Sequence, residues 1–184
     1  MNGEYFIRTY TGKYFDLEHP NHQDIDLRDI AYSLSHICRF TGHAGAFTVA
    51  EHSINVSNMF TDPRIRLAAL LHDAAEAYVG DISTHLKRLL KAGPIEDKIL
   101  QEIEKAFGVE ILNDCEIKQI DRAMLLVEAR DLMGADINDG FWAGLGEPLP
   151  HFRIDHRKVM SHKMAEMRFI KTYTDIQDEF VKGF

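Results

Sequence analysis

The stretch LLHDAAEAYVGD, residues 70–81, sets His72, Asp73, Glu76 and Asp81 at the end of an apolar run that includes Ile65, Leu67, Leu70 and Leu71. Titratable groups in an apolar setting are costly unless a partner compensates them. A divalent metal ion is such a partner, and it needs ligands from elsewhere in the chain. His52 supplies one, between the apolar residues Val49 and Val56. Asp121 supplies another, beside Ile117, Ile120, Met124 and Leu125. His52, His72, Asp73 and Asp121 make a mixed nitrogen and oxygen set suited to a divalent transition metal such as Co, Mn, Zn or Ni, or to Mg. On a six-coordinate ion such a set leaves positions for water and substrate. A single buried histidine is more often a satisfied core residue than a ligand. The joint occurrence of these residues on separate apolar segments is what points to a metal.

Helical elements must position them. Residues 1–20 alternate apolar and polar side chains (Tyr5, Ile7, Thr9) and predict a short hairpin or an extended arm. Asp26 can cap a helix reaching about Arg39, with Ile30, Leu34 and Ile37 on one face. Thr48-Val49-Ala50-Glu51 is a capping box for a helix running to about Phe60. Asp62-Pro63 opens another, expected to run unbroken through the His-Asp pair to Gly80. Further helices are expected over Ser83–Lys91, Pro94–Phe107, Asn113–Met133 and Asp155–Tyr173, with GADINDGFWAGLGEPLP, residues 134–150, as a loop. The expected fold is all-α, one domain over 1–184, a bundle of about six to seven helices.

Composition sets the outer limits. Charged residues are 27% and hydrophobic ones 45% of the 184, an ordinary globular balance. The net charge of −8, from 29 acids against 21 bases, argues against sequence-independent nucleic-acid binding. Cys38 and Cys115 have no CxxC spacing, so neither a disulfide framework nor a cysteine metal site is expected. No apolar stretch approaches membrane-spanning length, and MNGEYFIRTYTGKYF lacks a signal-peptide core. A cytoplasmic address is expected, the host's cytoplasm if the chain is phage-encoded. Neither nucleic acid nor membrane is expected as a partner, and homo-oligomerisation is.

The order His52, His72-Asp73, Asp121 resembles the HD-domain metal-dependent phosphohydrolases. VAEHS at 49–53, LLHDAAEAYVGDI at 70–82 and THLK at 84–87 are similar to motifs of the HD-domain 5′-deoxynucleotidases. HICRFTGHAGAF, residues 36–47, resembles the arginine-bearing segment of that group and of compact phage-type relatives that remove triphosphate from dATP. The likeness covers roughly residues 26–135 and implies an HD helical bundle. Glu76-Ala77 replaces the Glu-Asp pair of stringent-response HD hydrolases, and His85 is the lone histidine between the doublet and Asp121. Those features disfavour the stringent-response branch and a multi-histidine dinuclear site, while further divalent ions bound with the substrate phosphates stay open.

The resemblance implies hydrolysis of a small-molecule deoxynucleotide at its 5′ phosphoester. dATP, cut to deoxyadenosine and triphosphate, is the first expectation; 5′-deoxynucleotidase action on monophosphates is the alternative. A catalytically inactive nucleotide-binding module is a third reading. Glu76, one turn past the doublet, is assigned to the attacking water, and Asp81 to the leaving oxygen or the sugar 3′-hydroxyl. The bland alternative for Glu76 is capping or pairing with Arg88. Arg39 offers a planar fork for phosphate, against a solvated position at a helix end. His43 and Lys87 are further phosphate candidates, and Phe40 and Trp142, next to Phe141, are candidates for packing on a base.

Overall fold

The computed structural model describes residues 5–142 and 144–182. Positions 1–4 of the expected arm and Ala143 of the expected loop lie outside them. Among the described residues the fold is all-α, with eight helices and one two-stranded hairpin.

The hairpin pairs β1, Phe6–Arg8, with β2, Tyr14–Asp16, in antiparallel register, Ile7 opposite Phe15. Gly12 carries the turn at φ +89°, a conformation that glycine adopts without steric penalty. Phe15 is fully buried and stacks on Tyr78 at 4.0 Å. The turn is tied to the first helix, where buried Asp29 accepts from Thr11 N at 2.6 Å and from Thr11 Oγ1 at 2.8 Å.

Helix α1, Leu27–His36, starts where Asp26 accepts from Arg28 N. It stops three residues short of Arg39, which lies in a 3-10 turn over Arg39–Gly42. Within that turn Phe40 and Thr41 both have φ of 54°, in the left-handed region. Helix α2 is Val49–Ser57, and Thr48 Oγ1 accepts from Glu51 N at 3.2 Å. Only half of the capping box forms, because Glu51 turns away to accept from Met160 N at 3.1 Å.

The helix expected from Asp62 to Gly80 is divided. Helix α3, Pro63–Leu70, ends before the His-Asp pair, and α4, Glu76–Val79, resumes after it. The cause is local: His72 Nδ1 donates to the Ala69 carbonyl at 2.7 Å, and the backbone tightens to short-range bonds, Ala74 N to Leu71 O and Glu76 N to Asp73 O, both 2.9 Å. Gly80, at φ +83°, then ends α4.

Helices α5, Thr84–Leu90, α6, Gly93–Phe107, and α7, Cys115–Met133, follow. The last helix, α8, spans His162–Lys182, later at both ends than expected, because Asp155 caps only a 3-10 turn over His156–Lys158. Helices α1, α2, α3 and α8 pack together, and α7 lies against α2 and α3. Fully buried Leu34, Val56, Leu70, Val127 and Phe169 belong to one core spanning these helices. Among the described residues no helix is long and apolar enough to cross a membrane.

Candidate metal centre

Three elements converge on one point beside this core. Helix α2 brings His52, fully buried; the α3–α4 turn brings His72 and Asp73; helix α7 brings Asp121. His52 Nε2 lies 3.3 Å from His72 Nε2 and 3.1 Å from Asp121 Oδ1, and His72 Nε2 lies 3.8 Å from Asp121 Oδ1. The ligand atoms of His52, His72 and Asp121 all fall within 4.8 Å of one another, a group able to hold a metal ion. Asp73 adjoins it, with Oδ2 3.3 Å from His72 Nε2 and 3.6 Å from His52 Nε2.

The other ring nitrogens settle how the imidazoles point. His72 Nδ1 faces a carbonyl and His52 Nδ1 faces Glu128 Oε1 at 2.5 Å, so both Nδ1 atoms carry the hydrogen and donate. Each neutral ring then turns an Nε2 lone pair inward, toward the other and toward two carboxylates. Such an arrangement repels itself unless a cation sits among the donors. Ligands about 2.0–2.2 Å from a zinc-like ion lie about 3–3.6 Å from one another. The separations here fall in that range except His72 Nε2 to Asp121 Oδ1, which at 3.8 Å is slightly wider. Among the described residues, buried Asp73 Oδ2 and Glu76 Oε2 accept no hydrogen bond. The donor set and the orphaned oxygens fit a divalent ion.

The electrostatics agree. Burial pushes the His52 imidazolium down, and Arg39 adds to that, yet Glu128 and Asp121 hold it above its ordinary value. Burial acts the same way on His72, and Asp73 and Asp121 lift it well above. Burial would raise Asp121, but in the metal-free protein hydrogen bonds from the protonated imidazoles hold it well below the usual carboxylate range. These carboxylates favour positive charge where the rings meet.

Glu76 is 3% exposed, and burial, Asp73 and Asp81 push its carboxyl well up. Asp81 is half-buried and also raised, by burial first and by Asp73. The cation beside Glu76 is Lys87, not Arg88: Lys87 Nζ is 3.6 Å from Glu76 Oε1 and 2.6 Å from Glu96 Oε1. A cavity of about 240 Å³ opens beside His72, Asp73 and Asp121, reaching Glu96, Asp97 and Lys118.

Arg39 is neither solvated nor a free fork. It is 8% exposed, and its Nε and Nη2 donate to Glu128 Oε2 at 3.2 and 3.1 Å. That edge is spent on Glu128, while Nη1 lies 3.6 Å from Asp73 Oδ2. Phe40 packs under the guanidinium, 5.9 Å from ring centroid to Cζ. His43 is exposed in the turn after Arg39. Trp142 meets Phe141 edge-on at 4.9 Å, and Phe141 leans on His85 of α5 at 5.7 Å.

Glu128 is the residue that sequence reasoning misses. It is fully buried, two turns beyond Asp121 on α7, and bonded to both His52 and Arg39. The signal was a lone acid in the apolar run Leu125-Leu126-Val127-Glu128-Ala129, seven residues after Asp121 and hence on the same helix face.

No model of a known protein family matches the chain. It is 35% identical over 134 residues, 67% of its length and 68% of the relative's, to an uncharacterized protein of Rhodobacter capsulatus. It is 36% identical over 176 residues, 94% of its length and 96% of the relative's, to the uncharacterized protein YfdR of Escherichia coli K12. The chain belongs to the same family as that Escherichia coli protein.

Proposed function

We propose that the protein is a metal-dependent phosphohydrolase of the HD type, acting on the 5′ phosphoester of a 2′-deoxynucleotide. The observation that carries this reading is the convergence of His52, His72, Asp73 and Asp121 beside the buried carboxyl of Glu76. These four side chains would hold a divalent ion, which would supply a lowered pKa for bound water and a Lewis acid for a phosphoryl oxygen.

The chain's own groups supply the rest. Glu76, whose carboxyl is raised by burial and by Asp73, is assigned to taking a proton from the attacking water. Lys87 orients it through Oε1, leaving Oε2 without a hydrogen-bond partner among the described residues. Asp81, just past Gly80, is assigned to protonating the leaving 5′ oxygen or binding the 3′-hydroxyl, and its raised carboxyl suits a donor. Arg39 adds positive charge beside Asp73 through Nη1.

Charge supply bears on the substrate. dATP, giving deoxyadenosine and triphosphate, brings about four negative charges and a monophosphate about two, from the phosphate pKa of about 6. Arg39 is already paired with Glu128 and Lys87 with Glu96, and the rest of the cavity sets one cation, Lys118, against Asp97. That balance favours a deoxynucleoside monophosphate, giving deoxynucleoside and phosphate, over the triphosphate. The test is a panel of dAMP, dTMP, dATP and ATP with Co²⁺, Mn²⁺ or Mg²⁺, products resolved by chromatography. Phosphate from dAMP with dATP intact supports the monophosphate reading. Triphosphate from dATP reinstates the other, and binding without turnover makes the protein a nucleotide-binding module.

A further inference from the structure

Glu128 stands outside the ligand set, yet both of its oxygens are committed. Oε1 accepts from His52 Nδ1 at 2.5 Å, and Oε2 accepts from Arg39 Nε and Nη2 at 3.2 and 3.1 Å. Glu128 and His52 have no exposed surface, and Arg39 has 8%. A carboxylate with no water contact is stable only when its lone pairs are taken up by donors. A plain ion pair with Arg39 would meet that need bidentately, with both oxygens on the guanidinium. Here the carboxylate is divided, and its shorter bond goes to the imidazole.

We propose that Glu128 is a positioning residue of the metal centre: Oε1 fixes His52 as the Nδ1–H tautomer with its Nε2 lone pair aimed at the ion, and Oε2 holds the Arg39 guanidinium beside the same centre. One buried side chain on α7 thereby orients a ligand on α2 and a cation in the turn after α1. The carboxylate also makes the ring a stronger donor, since a histidine that gives its second N–H to a carboxylate is the more basic ligand. Asp121 is on the same helix, so a single rigid rod places a ligand and the group that orients another. The proposal rests on metal binding at His52 and does not depend on which phosphoester is cut.

The experiment is Co²⁺ titration of metal-free protein, by calorimetry and by the visible absorption of the bound ion, with no nucleotide present. Glu128→Gln keeps the side-chain volume but removes the charge and sets an amide N–H₂ against either the imidazole or the guanidinium. Its Co²⁺ affinity should fall about 10–100-fold, the usual effect of losing such an outer partner. Glu51→Gln is the control, because Glu51 is buried on the same helix as His52 but bonds the Met160 backbone. Its affinity should stay near that of the parent. Unchanged affinity in Glu128→Gln, or an equal loss in Glu51→Gln, would overturn the proposal while leaving the metal reading intact. A parent protein that binds no Co²⁺ overturns both. Should Glu128→Gln fail to fold, the parent still decides: ¹⁵N-histidine NMR should show His52 with Nδ1 protonated and slow to exchange, and a ring protonated at Nε2 alone contradicts the assignment.

Discussion

The Nε2 atoms of His52 and His72 face each other across 3.3 Å, each ring held from behind, His52 by Glu128 and His72 by the Ala69 carbonyl. Neither ring can turn away without losing a buried hydrogen bond. The pair is a preformed electron-rich seat, and its behaviour with pH follows.

Both imidazoles have raised pKa values in the metal-free protein, against about 6.5 in an unfolded chain. A raised imidazole stabilises the fold fully below the unfolded value and loses that contribution as pH rises through the folded value. Thermal melts in chelator should therefore show stability falling as pH climbs from about 6.5 toward the alkaline side. With a divalent ion bound, the proton's place is filled and the fall should disappear. Metal affinity should rise over the same interval, since the ion competes with protons for Nε2. A melting temperature in chelator that is flat or rising there would contradict the assignment.

Glu76 has the same sign with pH, though it is the loss of its proton, not of a positive charge, that costs stability. Its carboxyl is raised by burial, so its charge destabilises the fold above the ordinary carboxylate range. Glu76→Gln should keep the metal, raise the melting temperature at neutral pH, and lower turnover by about 10²–10⁴, the usual worth of a positioned acid–base group. Turnover within a few-fold of the parent would reduce Glu76 to a structural group.

Arg39→Ala should be a stability lesion as well as a functional one. It leaves the Glu128 carboxylate buried with two of its three donors gone, a class of change that costs about 3–5 kcal/mol. Denaturant unfolding should show that loss, and nucleotide binding should weaken whatever the base. A loss below about 1 kcal/mol, the range of exposed pairs, would mean that the pair is solvated.

Thr41 stands at φ 54° with a branched side chain, next to Phe40 in the same conformation. Thr41→Gly should raise the melting temperature, because the left-handed conformation costs roughly 1–2 kcal/mol in other residues and almost nothing in glycine. An unchanged or lower melting temperature would show that the unfolded-state entropy of glycine outweighs the strain.

The converging residues were legible because each is a polar residue set into an apolar stretch, a pattern visible within a few positions of His52, His72 and Asp121. The all-α bundle and the hairpin were legible from caps and alternation in the same way. What escaped was tertiary. The break between Leu70 and Glu76 arises because one side chain takes a carbonyl that the helix would have used. Arg39 reads as a phosphate fork, or else as a solvated residue at a helix end, until Glu128, 89 positions later, is brought against it. The late start of α8 follows from Asp155 capping only a 3-10 turn, which spacing alone does not distinguish from a helix start.

The most direct measurement is the metal content of purified protein after reconstitution, read by elemental analysis on the parent and on His52→Ala and His72→Ala. The parent should hold about one tightly bound divalent ion per chain, the number a single closed donor set accommodates. Both variants should lose that ion, with deoxynucleotide hydrolysis lost alongside it. A parent that retains no ion, or variants that retain it fully, would contradict the assignment of His52, His72, Asp73 and Asp121 as a metal centre.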